Sequence, residues 1–215
     1  MKMKRFFSML ALQLSAMSML YAQSCPDSNH PHAIDLGIGV KFACCNVGAS
    51  SPEQYGGFYS WGETEEKVTY DENNYPGHGN QHYKNRKYID FGADISGTQH
   101  DVAHVKWGGS WQIPTKEQMD LLNDRCKKEW VTYKKVEGCR FIGPNGNSIF
   151  LPAAGGRWYD ETKHVGYYGG YWSSTYCTQS SNNTSDAYFL FFNNSNIETS
   201  HRDRASGSSV RPVTE

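Results

Sequence analysis

Ile34, Leu36, Ile38, Val40, Phe42 and Cys44 alternate with polar or glycine positions, which predicts a strand over 34–47 with one buried face. Gly37 and Gly39 fall on the opposite face, where a second backbone can approach closely. The next clear period is helical. Met119, Leu122, Cys126 and Trp130 recur at the spacing of one helix face, and Thr115 with Gln118 makes a capping box directly after Pro114. A shorter helix is expected around 101–105. Apolar runs at 140–142 and 148–151 flank Gly143-Pro144-Asn145-Gly146-Asn147, whose Asn-Gly pair is a strong hairpin signal. Strand-like runs follow at 170–176, 187–192 and 208–213, with a turn at Asn193-Asn194-Ser195-Asn196. Short antiparallel strands with one or two helices define an α+β fold.

Between the first strand and the helices lies a polar stretch, 62–98, punctuated by Asn73-Asn74, Pro76-Gly77 and Gly79-Asn80. A loop of this length inside a compact domain is more often functional than idle.

Composition changes the picture at the N-terminus. Lys2, Lys4 and Arg5 precede an apolar stretch over 6–22 that ends in small residues near Ala22 and Ser24, the layout of a secretory signal. Residues 1–24 therefore read as a signal peptide, 25–33 as a short linker and 34–215 as one domain. Ala22-Gln23-Ser24-Cys25 also allows lipidation of Cys25; a lipid anchor and simple cleavage both fit. In the remainder, Leu, Ile, Val and Phe make up about 16%, below the rough 20% line associated with disorder. The near balance of 21 basic and 22 acidic side chains removes the other half of that signature. With 6 Trp and 14 Tyr in the whole sequence, the core is expected to be small and anchored by aromatics. No basic run is available to neutralise phosphates, so nucleic acid is not expected as a partner.

Export favours disulfides for Cys44, Cys45, Cys126, Cys139 and Cys177. Connectivity does not follow from spacing; Cys45 with Cys126 is the expected pair. Cys44 and Cys45, adjacent on a strand, would point to opposite faces. His100 and His104 share a helical face, but no third ligand accompanies them, so no metal is expected. Cys177 and His201 lack an orienting group for nucleophilic chemistry. No catalytic residue and no cofactor are assigned. Residues 171–209 are dominated by Ser, Asn, Thr and Tyr yet carry Tyr188-Phe189-Leu190-Phe191-Phe192, the composition of a recognition surface on a structured frame.

Several motifs together resemble the Fibrobacter succinogenes major paralogous domain family, common among exported Bacteroidetes proteins. They include Asp35-Leu36-Gly37, Cys45-Asn46-Val47-Gly48-Ala49, Trp61-Gly62-Glu63-Thr64 and Asp101-Val102-Ala103-His104. Trp107-Gly108-Gly109-Ser110-Trp111-Gln112-Ile113-Pro114-Thr115, Asn145-Gly146-Asn147-Ser148-Ile149-Phe150-Leu151-Pro152-Ala153-Ala154-Gly155, Tyr171-Trp172-Ser173-Ser174-Thr175 and Ser209-Val210-Arg211-Pro212-Val213 complete the set. The resemblance implies a C-type-lectin-like domain: short twisted antiparallel strands, two helices and long loops, the second helix running over 114–130. Residues 171–213 are similar to the variable region of binding proteins diversified by retroelements. That similarity implies ligand contacts at Tyr176, Thr178, Ser180, Asn182, Asn183, Asn193, Asn194, Asn196, His201 and Asp203, with Trp172, Val210 and Arg211 as frame; Tyr188 joins them as an aromatic anchor.

The expected function is thus a non-enzymatic, exported binding module of the cell envelope. It would sit at the outer membrane or cell surface as a lipoprotein, or otherwise be periplasmic or secreted. Its partner would be a protein or glycan at the cell surface, with membrane contact only through the lipid anchor. A structural or appendage-type surface protein is the alternative. An enzyme related to the formylglycine-generating type would need a paired active-site Cys, which the motifs do not match.

Overall fold

The computed structural model of the protein describes residues 32–76, 88–178 and 185–215. The expected signal peptide, most of the linker and Cys25 lie outside the described residues.

The alternating apolar residues at the start are all buried, but not on one strand. Gly37 and Gly39 adopt φ of 74° and 89°, left-handed values that L side chains avoid and that no strand contains. They fold the segment into two short strands, β1 (Ala33–Asp35) and β2 (Lys41–Ala43), paired antiparallel with Ala33 opposite Ala43. Because β2 ends at Ala43, Cys44 and Cys45 lie beyond the strand, and both are buried with sulfurs 3.8 Å apart rather than on opposite faces.

Helix α1 (Val102–Trp107) is short and capped by Asp101. Asp101 is wholly buried; one carboxylate oxygen accepts the Ala103 and His104 amides, and the other accepts those of Gly97 and Ile113. One side chain thus closes the helix start and ties it to the chain on both sides. Gly108 ends the helix at φ 69°, and Trp107 and Trp111 meet edge-on across the turn at 5.5 Å. Helix α2 (Lys116–Arg125) begins with the expected reciprocal Thr115–Gln118 capping box and buries Met119 and Leu122.

The helix stops sooner than its spacing implied. Cys126 is already extended, and β3 (Lys127–Tyr133) pairs with β4 (Val136–Ile142), setting Trp130 opposite Cys139. Asn145-Gly146 does turn the chain from β4 into β5 (Ser148–Pro152). A two-stranded ribbon, β6 (Gly156–Trp158) and β7 (Glu161–Lys163), precedes β8 (Tyr168–Tyr176), β9 (Asp186–Asn193) and β10 (Ile197–Asp203). The last three form an antiparallel sheet with β9 in the middle. β11 (Val213–Thr214) returns to β2. Over 208–212 the tail makes isolated bridges at Ser208 and Ser209 rather than a strand; Pro212 has no amide to continue a ladder. The described residues therefore form an α+β fold of antiparallel sheets and two α-helices.

The main apolar cluster joins Leu36, Phe42, Met119, Leu122, Phe141, Leu151, Tyr171 and Phe192 with Cys45, Cys126 and Cys139. The expected Cys45–Cys126 disulfide is not formed. Cys126 and Cys139 are buried thiols, and the Cys45 sulfur turns to the Ala49 carbonyl at 3.3 Å. Here the cysteines fill apolar space as small hydrophobes. Trp172, Val210 and Arg211 are fully interior, and Arg211 satisfies its fork within the fold. Its Nε donates to Asn46, Nη1 to the Ala43 and Cys44 carbonyls, and Nη2 to the Phe150 carbonyl.

Candidate functional site

One end of the β8–β10 sheet carries an aromatic cleft around Arg204. Residues 88–101 are strapped to the rim of β8, where Ile95 donates to the Ser174 carbonyl at 3.0 Å and Tyr176 to that of Ala93 at 2.9 Å. The Trp61 indole is fixed from beneath by a 2.9 Å bond to the Ser173 carbonyl. Gly62, at φ 82°, lets Phe91 lie across the backbone; a Cβ there would sit 2.4 Å from the Phe91 ring. Phe91 in turn stacks on His100 at 4.1 Å. Tyr75 and Tyr88 meet edge-on at 4.6 Å, and the Tyr88 hydroxyl donates to Asp203 at 3.0 Å.

Into this frame the chain inserts Arg204, directly after β10. Its backbone is held at both ends, by the Ser185 carbonyl and the Trp61 amide. The guanidinium carbon lies 5.1 Å from the Trp61 ring centre, 5.3 Å from Tyr88, 5.5 Å from Tyr75 and Tyr176, and 5.8 Å from Phe91. Each such ring attracts a desolvated cation by about 0.5–2 kcal/mol, and the contributions do not add fully. Arg204 is only 2% exposed. Its Nη2 donates to the Ile89 carbonyl at 2.8 Å, its Nε has no partner, and it forms no ion pair among the described residues. The surrounding phenols supply no counter-charge: burial raises the Tyr75 and Tyr176 hydroxyls above their ordinary range, against the pull of Arg204, so both are neutral at physiological pH. Tyr88, Ile89, Asp90, Tyr176 and Arg204 line an open cleft of about 260 Å³.

The residues expected to contact ligand are brought together only in part. Tyr176 lines the Arg204 cleft. Asp203 lines a neighbouring depression of about 170 Å³ with Tyr70, Trp158 and Tyr159, and shares a wall with the first through its bond to Tyr88. Thr178 is exposed beyond the same end of β8, and exposed His201 pairs with Asp186 at 2.8 Å. Asn193, Asn194 and Asn196 lie together at the other end, where they line a separate depression of about 150 Å³ with Lys128, Trp130 and Ile197. Tyr176 is opposite Ala187 while Asn193 is opposite Tyr168, so six residues of β9, about 20 Å, separate the two ends. The Asn193 carboxamide is also committed to its own turn, accepting the Ser195 and Asn196 amides at 2.8 Å. A second correction concerns Tyr188. It is 8% exposed and packs beneath Lys116 of α2, with Nζ 5.3 Å from its ring. Its ring belongs to the packing between sheet and helix. Ser180, Asn182 and Asn183 lie outside the described residues.

Arg204, Tyr88, Tyr75 and Phe91 are not singled out by the sequence, and Trp61 enters there only within the Trp61-Gly62-Glu63-Thr64 motif. The usable signal was the series Tyr70, Tyr75, Tyr88 and Phe91 within the long polar stretch, since aromatics in a loop need a place to pack. Among the described residues no three His, Cys, Asp or Glu side chains converge on a possible metal, and no helix is long and apolar enough to cross a membrane.

Fold and site together define an α+β domain with an arginine-centred aromatic cleft at one sheet end. Comparison with family models, curated proteins and solved structures finds no match for the chain.

Proposed function

We propose that the protein is an exported binding module of the cell envelope that recognises its ligand with the aromatic cleft at Arg204. The observation that carries this is a nearly buried guanidinium, ringed by five aromatics and lining an open cleft, with a single side-chain hydrogen bond among the described residues. Aromatic walls around a few convergent polar groups are the usual makeup of a small-ligand site. The scaffold beneath it is a C-type-lectin-like domain of the Fibrobacter succinogenes major paralogous type, a reading supported by the motifs above. The basic and apolar N-terminus supports export, either anchored by a lipid on Cys25 or released by simple cleavage. The module acts by binding and carries out no reaction.

The test is capture. The full chain, produced in an exporting bacterium, is immobilised and exposed to purified envelope proteins and to a glycan array, beside Tyr176→Ala. Retention by the wild type that falls at least tenfold in the variant, with circular dichroism unchanged, supports the proposal. Equal retention by both proteins overturns it.

A further inference from the structure

We infer that the Arg204 cleft binds an α-carboxylate carried next to an N–H donor: a free amino acid or the C-terminal residue of a peptide, with an apolar or aromatic side chain. The inference rests on the binding-module reading and names the ligand of that same site.

Among the described residues two arginines are almost completely buried, and their partners differ. Arg211 engages four acceptors and is finished as a structural element. Among the described residues Arg204 engages one, the Ile89 carbonyl, although it has the same five donors and lines a cleft that Arg211 does not. A guanidinium presents a planar fork that matches a carboxylate, and rings on several sides exclude the water that would otherwise compete. Aromatic rings stabilise the charge but leave its donors unused.

Asp90 decides what kind of anion fits. Asp90 lines the same cleft, is exposed, and makes no ion pair with Arg204 among the described residues. Its Oδ1 is taken by the Gly92 amide at 2.8 Å; Oδ2 remains as an acceptor. A negative charge on the wall of the same cleft disfavours a phosphate dianion or a second carboxylate and favours a ligand whose single carboxylate adjoins an N–H. An α-ammonium or a peptide amide supplies that donor. Tyr88, Tyr176 and Ile89 form the remaining wall, suited to an apolar side chain. The volume of about 260 Å³ falls below the ~300 Å³ at which drug-sized pockets begin, which fits one residue.

The experiment is titration of the full chain by heteronuclear NMR and calorimetry with phenylalanine, phenylalaninamide, 3-phenylpropionate and Gly-Gly-Phe. Phenylalanine or Gly-Gly-Phe is expected to bind at least tenfold more tightly than phenylalaninamide, which lacks the carboxylate. The tighter of the two identifies the source, a free amino acid or a peptide terminus. Asp90→Asn, an exposed change that leaves folding intact, is expected to weaken phenylalanine and strengthen 3-phenylpropionate. Arg204→Lys is expected to abolish the preference for acid over amide; Asp90→Asn keeps the test decisive if that variant does not fold. Equal binding of acid and amide, or no shift with any carboxylate at millimolar concentration, overturns the inference. Should Tyr176-dependent capture of an envelope ligand persist in that case, the binding-module reading survives and only the ligand class is wrong.

Discussion

Asp101 offers the sharpest stability prediction, because a single interior carboxylate serves four backbone amides at 2.8–3.1 Å. In Asp101→Asn the side-chain oxygen can keep one pair of amides, but its NH₂ then faces the other pair. Each pair holds one buried amide, of Ala103 or Ile113, and one at half-buried His104 or exposed Gly97. The buried one loses about 1–3 kcal/mol and the other less, so the expected loss centres on roughly 3 kcal/mol. For a domain of this size that lowers Tm by about 6–12 °C, out of a total stability of about 5–15 kcal/mol. Asp101→Ala orphans all four amides and should cost more. The assay is urea unfolding followed by tryptophan fluorescence, with the m-value checked for constancy. Because Asp101 also anchors Gly97 and Ile113, hydrogen exchange should quicken across residues 95–113, next to the cleft wall. A loss below about 1 kcal/mol for Asn, or equal losses for Asn and Ala, would refute the four-amide account.

The same structure sets three further expectations. Tyr188→Ala should destabilise by about 3 kcal/mol, since the ring is nearly buried against α2, while Tyr176→Phe should leave the urea midpoint unchanged; equal effects would contradict their separate placement. Burial pushes the Cys126 thiol up to about 11 and that of Cys139 to about 12, so at pH 8 the Cys126 thiolate is about one part in a thousand. Iodoacetamide should spare both in folded protein and label both in urea, as read by mass spectrometry; rapid native labelling would show them exposed. Gly62→Ala adds a Cβ 2.4 Å from Phe91 at a left-handed φ, so it should lower the thermal midpoint and loosen the wall beside Arg204. A wild-type melting curve would remove the steric reason for glycine there.

What could be seen in the sequence was whatever short-range geometry determines. The Thr115–Gln118 box and the Asn145-Gly146 turn are local, so residue type and spacing suffice, and both stand where expected. The apolar alternation from Ile34 correctly marked buried positions, but two glycines spent the backbone on a turn that alternation cannot register. The helix was overextended because Cys126 and Trp130 continue an i, i+4 pattern while residues 127–133 also suit a strand; pairing with β4, a tertiary event, decides between them. The cysteines were assigned from compartment alone, whereas their environment is the apolar core itself.

The Arg204 site was illegible for a different reason. Its parts, Trp61, Tyr75, Tyr88, Phe91, Tyr176 and Arg204, come from widely separated segments and share no period. They meet because β8 supplies backbone partners for residues 93–95 and β10 delivers Arg204 to the same sheet end. The variable-looking tail therefore does two jobs at its two ends. The Asn193 turn uses its amides to close a hairpin, whereas the end bearing Tyr176, Asp203 and Arg204 carries polar groups whose partners are spread around an open cleft. Composition alone treats those ends alike. The ends differ in their hydrogen bonds: the Asn193 side-chain oxygen is taken up by its own turn, whereas among the described residues the Arg204 guanidinium has one acceptor.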